Sequence, residues 1–204
     1  MKLVGTPRSP FVRKVRIVLA EKGIPYDYVI DRPSDPDSRV PSFNPLGKIP
    51  VLVRDDGKPL YDSPVIVEYL DVVGTGPKLI PDAFADRIEV RRWEAIGDGV
   101  VDAAVLLSHE YRRPDGSLAN AEGYAKQCKK IERALMTMSQ ELGEREFCYG
   151  VRFSLADVAA GYALGYLDVV LQEFDWRGAH PNLERYANRL AARDSFHISL
   201  PPAA

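Results

Sequence analysis

The residue pattern changes abruptly near residues 75–82, and this change limits the folds open to the chain. Glycine and proline dominate GTGP at positions 74–77, and another proline follows at position 81. Short apolar runs alternate with helical patterns before this point, whereas helical periodicity covers nearly all of the chain after it. The sequence therefore predicts an α+β fold of two domains, at residues 1–76 and 83–204.

The first module begins with a strand, a helix and a second strand. Residues 2–5 form a short apolar run. Ser9-Pro10 is typical of a helix start, because serine caps helices well and proline suits the first helical position. Gly23 ends that helix, and residues 26–30 predict the second strand. A β-α-β unit of this kind makes its two strands parallel.

An irregular segment, a hairpin and a helix complete the first module. Three prolines within residues 31–44 argue against a long regular element there. Two short apolar segments flank Asp56-Gly57, which predicts a β-hairpin. Ser63-Pro64 then repeats the Ser-Pro helix start, so the module continues as β-β-α.

Beyond the boundary the sequence predicts four helices and no strand. Ser154 and Asp157 precede an apolar run and match a capping box, with aspartate in place of the usual glutamate. We interpret this box as a folding signal without a chemical role. The predicted helices cover residues 83–112, 117–143, 154–172 and 181–193.

Charge and apolar content argue against two classes of partner. The net charge of −2 over 204 residues gives no electrostatic reason to expect nucleic acid. No uncharged apolar run approaches the ~18 residues of a membrane span. Residues 1–7 lack the apolar stretch of a signal peptide. We therefore expect a soluble, cytoplasmic protein with no membrane partner.

Cysteine and histidine form no disulfide or metal pattern. Cys128 and Cys148 are isolated, and neither belongs to a C-x-x-C pair. His109, His180 and His197 are scattered and lack the spacing of metal ligands. We expect no disulfide framework and no metal.

Three local features of the first module are candidates for ligand binding. Ser9 lies at a strand-to-helix turn, near the free N–H groups and the positive end of a helix. Ile49-Pro50 precedes a strand, and a cis bond there would leave the backbone of Ile49 open to an extended peptide. Asp62 and Ser63 lie at the next helix start, where a carboxylate would find N–H donors. Each feature also has a simpler interpretation, as a helix cap or as a trans proline that begins a strand.

Taken together, these features resemble the glutathione transferase superfamily. The similarity lies in SPFVRKV at residues 9–15, NPLGKIPVL at 44–52 and DSPVIVEYL at 62–70, and it continues through 154–157 to 181–183. It is closest to bacterial members with serine at the start of the first helix, of the kind called YibF-like. The resemblance implies a thioredoxin-like N-terminal domain followed by an all-helical C-terminal domain.

The resemblance also implies roles for matching residues. Ser9 would face the sulfur of glutathione, and Phe11 would belong to the same binding site. Ile49, before a cis Pro50, would pair its backbone with the cysteinyl part of glutathione.

The remaining implied contacts concern the two ends of glutathione. Asp62 and Ser63 would hold the γ-glutamyl end, although many relatives carry glutamate where this chain has the shorter Asp62. Lys48 either reaches the glycyl carboxylate or stays solvated.

The implied activity is transfer of glutathione, as co-substrate, to a small electrophile by addition or displacement. Ser9 would donate a hydrogen bond to the thiolate rather than act as a base. Relatives that catalyse thiol exchange carry cysteine at that position, and the first module contains no cysteine, which disfavours that activity. The alternative from another class is a protein that binds glutathione or another ligand with little catalysis.

The second substrate is expected to be hydrophobic and to lie beside residues of the long helix after the linker. An apolar stripe at such spacing is also typical of a helix core. A homodimer is implied as well, in which the first module of one subunit contacts the helical module of the other. The candidate pocket residues are Trp93, Ile96, Val100 and Tyr111.

Overall fold

The computed structural model describes residues 1–110 and 117–201, and its internal contacts group them into two compact units. The first unit is Met1–Ile80 together with the C-terminal residues from Arg193. The second unit is Pro81–Ala192. The predicted α+β class, with a mixed α/β part followed by a helical part, is confirmed.

The elements of the first unit follow the predicted order β-α-β and then β-β-α. They are β1 (Lys2–Gly5), α1 (Pro10–Glu21), β2 (Asp27–Ile30), α2 (Val40–Phe43), β3 (Val51–Val53), β4 (Pro59–Leu60), α3 (Ser63–Val73) and, near the C-terminus, α9 (Asp194–Ile198). The four strands form one sheet in the order β2-β1-β3-β4. β1 pairs with β2 in parallel and with β3 antiparallel, and β3 pairs antiparallel with β4.

An apolar core holds the sheet against the helices of the first unit. Leu3 and Leu52 lie opposite each other on β1 and β3, and both are fully buried. α1 contributes Val15, Val18 and Leu19, which are also fully buried. The spacing of these three side chains is that of one helical face, so α1 is fixed to the sheet along this side.

The C-terminal segment packs against α1. The guanidinium of Arg193 forms two hydrogen bonds with the carboxylate of Glu21, at 3.0 and 3.1 Å. Arg16 donates to the backbone carbonyl of Ile198 at 2.6 Å. These contacts belong to the first unit, which includes the residues from Arg193 onward. The predicted domain at residues 83–204 stays a prediction.

The regular elements described in the second unit are helices. α4 and α6 approach closely, since a Cβ on Gly97 would lie 2.7 Å from the carbonyl oxygen of Ala159. No helix in the described parts of the chain is long and apolar enough to cross a membrane. The elements are α4 (Phe84–Val105), a π-helical segment (Leu106–Glu110), α5 (Ala121–Leu142), α6 (Leu155–Val170), α7 (Trp176–Ala179) and α8 (Pro181–Ala191).

Candidate functional site

Ser9 occupies the turn between β1 and α1. At the end of the strand, a Cβ on Gly5 would lie 2.5 Å from a methyl group of Val12, so strand and helix leave little room for a larger residue. The Ser9 N–H donates to Thr6 O at 3.1 Å, and Ser9 Oγ accepts a long hydrogen bond from Val12 N at 3.4 Å. Within residues 1–110 and 117–201, no group accepts the Ser9 hydroxyl proton. This half-buried hydroxyl is therefore a donor at the positive end of α1.

Ile49 and Pro50 lead from an exposed loop into β3. The peptide bond between them is cis. Pro50 is buried and Ile49 half-buried, whereas Lys48 is exposed. Pairing of β3 with β1 begins at Val51, opposite Val4, so the backbone of Ile49 lies just outside the ladder.

Asp62 and Ser63 form the start of α3. Asp62 is exposed, and its carboxylate accepts a hydrogen bond from the Ser63 N–H as the helix N-cap. The Ser63 side chain is only 1% exposed, and its hydroxyl has no hydrogen-bond partner among the described residues. An unsatisfied buried polar group costs about 1–3 kcal/mol, so a ligand that bonds to this hydroxyl would remove that cost.

The sheet topology brings these features to one end of the first unit. β3 runs antiparallel to β1, so Ile49 at the start of β3 lies near the end of β1, from which the chain continues to Ser9. β4 runs antiparallel to β3, so Asp62 and Ser63, which follow β4, lie at the same end. Phe11 is half-buried in the first turn of α1. Residues distant in sequence are thus placed as one binding site requires.

Family models match the two parts of the chain separately. The model described as "Glutathione S-transferase, N-terminal domain" matches residues 8–73, and the model described as "Glutathione S-transferase, C-terminal domain" matches residues 121–189. The chain belongs to the glutathione S-transferase family. The resemblance inferred from the motifs of the first module is thereby confirmed.

Individual members of the family match over the whole length. The chain is 36% identical to "Uncharacterized GST-like protein YibF" of Escherichia coli (strain K12), over 100% of both chains. A glutathione S-transferase from Methylobacillus flagellatus KT, solved with glutathione bound, is 47% identical with a TM-score of 0.94, over 98% of this chain and 99% of that one. A glutathione S-transferase from Methylobacterium radiotolerans JCM 2831, in complex with glutathione sulfonate, is 43% identical with a TM-score of 0.91, over 100% of this chain and 95% of that one.

The four residues predicted to line a second-substrate pocket differ from one another in burial. Trp93 and Val100 are each 1% exposed and belong to the core of the second unit. Ile96 is half-buried, and Tyr111 lies outside the described residues. The burial of Trp93 and Val100 agrees with the alternative interpretation of the stripe as a helix core, and the pocket role of all four residues stays a prediction.

The two thiols of this glutathione transferase homologue are poor nucleophiles. Both cysteines are free. Burial, and then the charge of Asp157, raises the pKa of Cys148 well above its ordinary value, and burial also raises the pKa of Cys128. Burial therefore disfavours the reactive thiolate form at both cysteines. In the described part of the chain, no group of three or more His, Cys, Asp or Glu side chains is placed to hold a metal ion.

Asn44 lies in the NPLGKIPVL segment close to Ile49, and the sequence motifs predict no separate role for it. Its side chain is 3% exposed and hydrogen-bonds within the loop before Ile49. The signal was present in the sequence, since asparagine at the first position of a turn with Gly47 three residues later is a common turn pattern.

Proposed function

We propose that this chain is a glutathione transferase whose first unit binds glutathione and promotes attack of its thiolate on a small hydrophobic electrophile. The observation that carries this proposal is the Ser9 hydroxyl, which has a proton without an acceptor in the described residues and lies at a helix N-terminus. Glutathione and its sulfonate are bound in two solved relatives more than 40% identical to this chain, as stated above.

The proposed contacts follow the extended shape of glutathione. The Ser9 hydroxyl donates to the sulfur, and Phe11 lines the same part of the site. The backbone of Ile49, ahead of Pro50, pairs with the cysteinyl backbone, which is supported by its position just outside the sheet ladder.

The γ-glutamyl end of glutathione is proposed to lie at the start of α3. Its carboxylate would accept from the Ser63 hydroxyl, which has no partner among the described residues, and would lie at the positive end of α3. Asp62 would accept from the ammonium group. Lys48, exposed at the loop end, would reach the glycyl carboxylate.

Serine is sufficient for thiolate stabilisation on energetic grounds. A thiol of pKa about 8.5 is only slightly ionised at neutral pH. A hydrogen bond to a charged group contributes about 1.5–3 kcal/mol, and one pKa unit corresponds to about 1.36 kcal/mol. One donor, assisted by the helix N-terminus, therefore lowers the pKa of bound glutathione by about 1–2 units.

The S9A substitution tests this role. We expect the pKa of the bound thiol, followed by thiolate absorbance, to rise by about 1–2 units, and turnover at neutral pH to fall about tenfold. The glutathione Kd should change by less than about twofold, because the other contacts remain. S9T, which keeps a hydroxyl, is the matched control. An identical absorbance titration in wild type and S9A would show that the role assigned to Ser9 is wrong.

Two other activities would give different experimental results. Glutathione binding without turnover of a broad electrophile panel would identify a binding protein with little catalysis. A mixed disulfide found by mass spectrometry after incubation with oxidised glutathione would indicate thiol exchange, which we disfavour because residues 1–80 contain no cysteine.

We further propose a cytoplasmic homodimer that detoxifies electrophiles. Apolar side chains are exposed in both units: Val65 and Val72 on α3 at 49% and 67%, and Phe84 and Ile88 on α4 at 76% and 48%. Each pair shares a helix face, as an interface side chain would. Sedimentation at low micromolar concentration should give the mass of a dimer, and a monomer mass would contradict this assembly.

A further inference from the structure

Each polar atom of Asn44, in the backbone and the side chain, makes one hydrogen bond within the segment that leads to Ile49. Its backbone N–H donates to Val40 O at 2.9 Å, and its backbone carbonyl accepts from Gly47 N at 2.9 Å. Its side-chain Oδ1 accepts from Leu46 N at 3.0 Å, and its Nδ2 donates to Lys48 O at 2.8 Å. One nearly buried side chain therefore organises a complete turn.

Little else holds this turn in place. Pro45, Leu46 and Lys48 are exposed, and Leu46 is 69% exposed. Gly47 has a φ of 63°, which a glycine adopts without strain. Because these side chains bury little apolar surface, the hydrogen bonds of Asn44 hold the turn itself, whereas Phe43 and Ile49 on either side of it pack against the apolar core.

The bond to Lys48 O has a consequence for the next residue. The carbonyl of Lys48 and the N–H of Ile49 belong to the same planar peptide unit, and in a trans unit they point in opposite directions. Holding the carbonyl toward Asn44 therefore directs the Ile49 N–H away from Asn44. No group within the described residues accepts a hydrogen bond from that N–H.

We propose that Asn44 is a positioning residue for glutathione, whose side-chain amide orients the Lys48–Ile49 peptide so that the Ile49 N–H donates to the cysteinyl carbonyl of the ligand. The inference rests on the proposed function and adds a residue that makes no contact with the ligand itself. Asn44 acts before binding, by removing the other orientations that this peptide unit could adopt in an exposed loop.

Two substitutions separate the amide donor from the rest of the side chain. N44D keeps the size of the side chain and the acceptor for Leu46 N–H, but it replaces the donor to Lys48 O with a second acceptor. N44A removes both bonds. We expect the glutathione Kd to rise roughly tenfold in both variants. For kcat at saturating glutathione we expect a change of less than about twofold, since the contact of Ser9 with the sulfur is unaffected.

N182A is the matched control for a loss of stability alone. The amide nitrogen of Asn182 donates to two backbone carbonyls, Ser139 O at 2.9 Å and Gly143 O at 3.1 Å, and its Oδ1 accepts from the Ser139 hydroxyl at 2.7 Å, all within the second unit. Its melting temperature should fall by about as much as that of N44A, while its glutathione Kd stays within about twofold of wild type.

The outcomes distinguish this inference from the proposed function. Wild-type protein that binds no glutathione overturns both. If the wild-type protein binds glutathione and N44D and N44A bind it with unchanged affinity, only the role of Asn44 is overturned. The same conclusion follows if N182A loses as much glutathione affinity as the Asn44 variants. If both Asn44 variants fail to fold, hydrogen–deuterium exchange of a wild-type peptide containing Ile49 decides the matter. Glutathione should slow that exchange, and unchanged exchange overturns the inference.

Discussion

Two helices in the described parts of the chain begin with a serine cap, and the hydroxyls of the two serines have different hydrogen-bond partners. Ser154 opens α6 in the second unit: its Oγ accepts from Ala156 N at 3.3 Å and donates to Asp157 Oδ2 at 3.0 Å. Ser9 opens α1 in the first unit: its Oγ accepts from Val12 N at 3.4 Å, and its proton has no acceptor in the described residues. The Ser154 hydroxyl is fully used within the protein, whereas the Ser9 hydroxyl retains a donor.

The residue three positions after each cap explains the difference. After Ser154 this residue is Asp157, which is fully buried and also accepts from the Ser154 N–H at 2.7 Å, from Cys148 N at 2.8 Å and from the Tyr186 hydroxyl at 2.5 Å. Burial raises the pKa of Asp157, and these hydrogen bonds lower it in part. After Ser9 the equivalent residue is Val12, whose apolar side chain cannot accept a hydrogen bond from the Ser9 hydroxyl or N–H. The same residue type is therefore structural at one helix start and available to a ligand at the other.

The D157A substitution should have the largest effect, because it removes the acceptor that four buried donor groups share. We expect the free energy of unfolding to fall by about 3 kcal/mol or more. Urea unfolding followed by circular dichroism measures this loss, and E144A, at an exposed ion pair with Arg185, is a control that should lose about 1 kcal/mol or less. If D157A lost less than about 1 kcal/mol, the Ser154 cap of α6 would not have the structural role that distinguishes it from the Ser9 cap.

The S63A substitution tests whether the first unit has a second hydroxyl reserved for a ligand. Removing an unsatisfied buried hydroxyl should leave the free energy of unfolding within about 0.5 kcal/mol of wild type, or raise it. The glutathione Kd should rise roughly tenfold, because the γ-glutamyl carboxylate loses a donor.

Ser199 supplies the matched control for S63A. It is also fully buried in the first unit, but its hydroxyl donates to Phe196 O at 3.0 Å. S199A should therefore lose about 1 kcal/mol of stability without a change in glutathione affinity. If S63A instead lost stability and kept its affinity, its hydroxyl would be structural, like that of Ser154.

The two cap deletions, S154A and S9A, should differ from each other in stability by only about 1 kcal/mol. S154A should lose about 1–2 kcal/mol, because a reciprocal capping box is broken. S9A should lose about 0.5 kcal/mol or less, because only one long hydrogen bond is removed. Thermal and urea unfolding of both variants provide the measurement. Equal losses would contradict the distinction between the two caps.

Local sequence was enough to predict much of the fold. Ser-Pro at two helix starts, Asp-Gly in the hairpin and the box at Ser154 and Asp157 depend on interactions within about four residues, so they appear directly in the sequence. The same locality explains why the bounds of the predicted helices lie within a few residues of α5, α6 and α8.

Interactions between distant residues could not be read in this way. The return of the C-terminal segment to α1, through Arg193 with Glu21 and Arg16 with Ile198, joins positions whose proximity no local pattern indicates. The core position of Trp93 likewise depends on which face of α4 meets α6, and an amphipathic stripe does not specify its partner.

Both local sequence and long-range contacts determine the position of Ser9. The sequence by itself determined that a serine caps the first helix, because capping requires only the residue and the turn that follows it. The tertiary structure decided that this serine shares one end of a sheet with Ile49 and Ser63, and that the buried Ser63 hydroxyl has no partner in the described part of the chain. Strand pairing and burial join residues far apart in the chain, so only the folded molecule brings this helix cap to the same end of the sheet as Ile49 and Ser63.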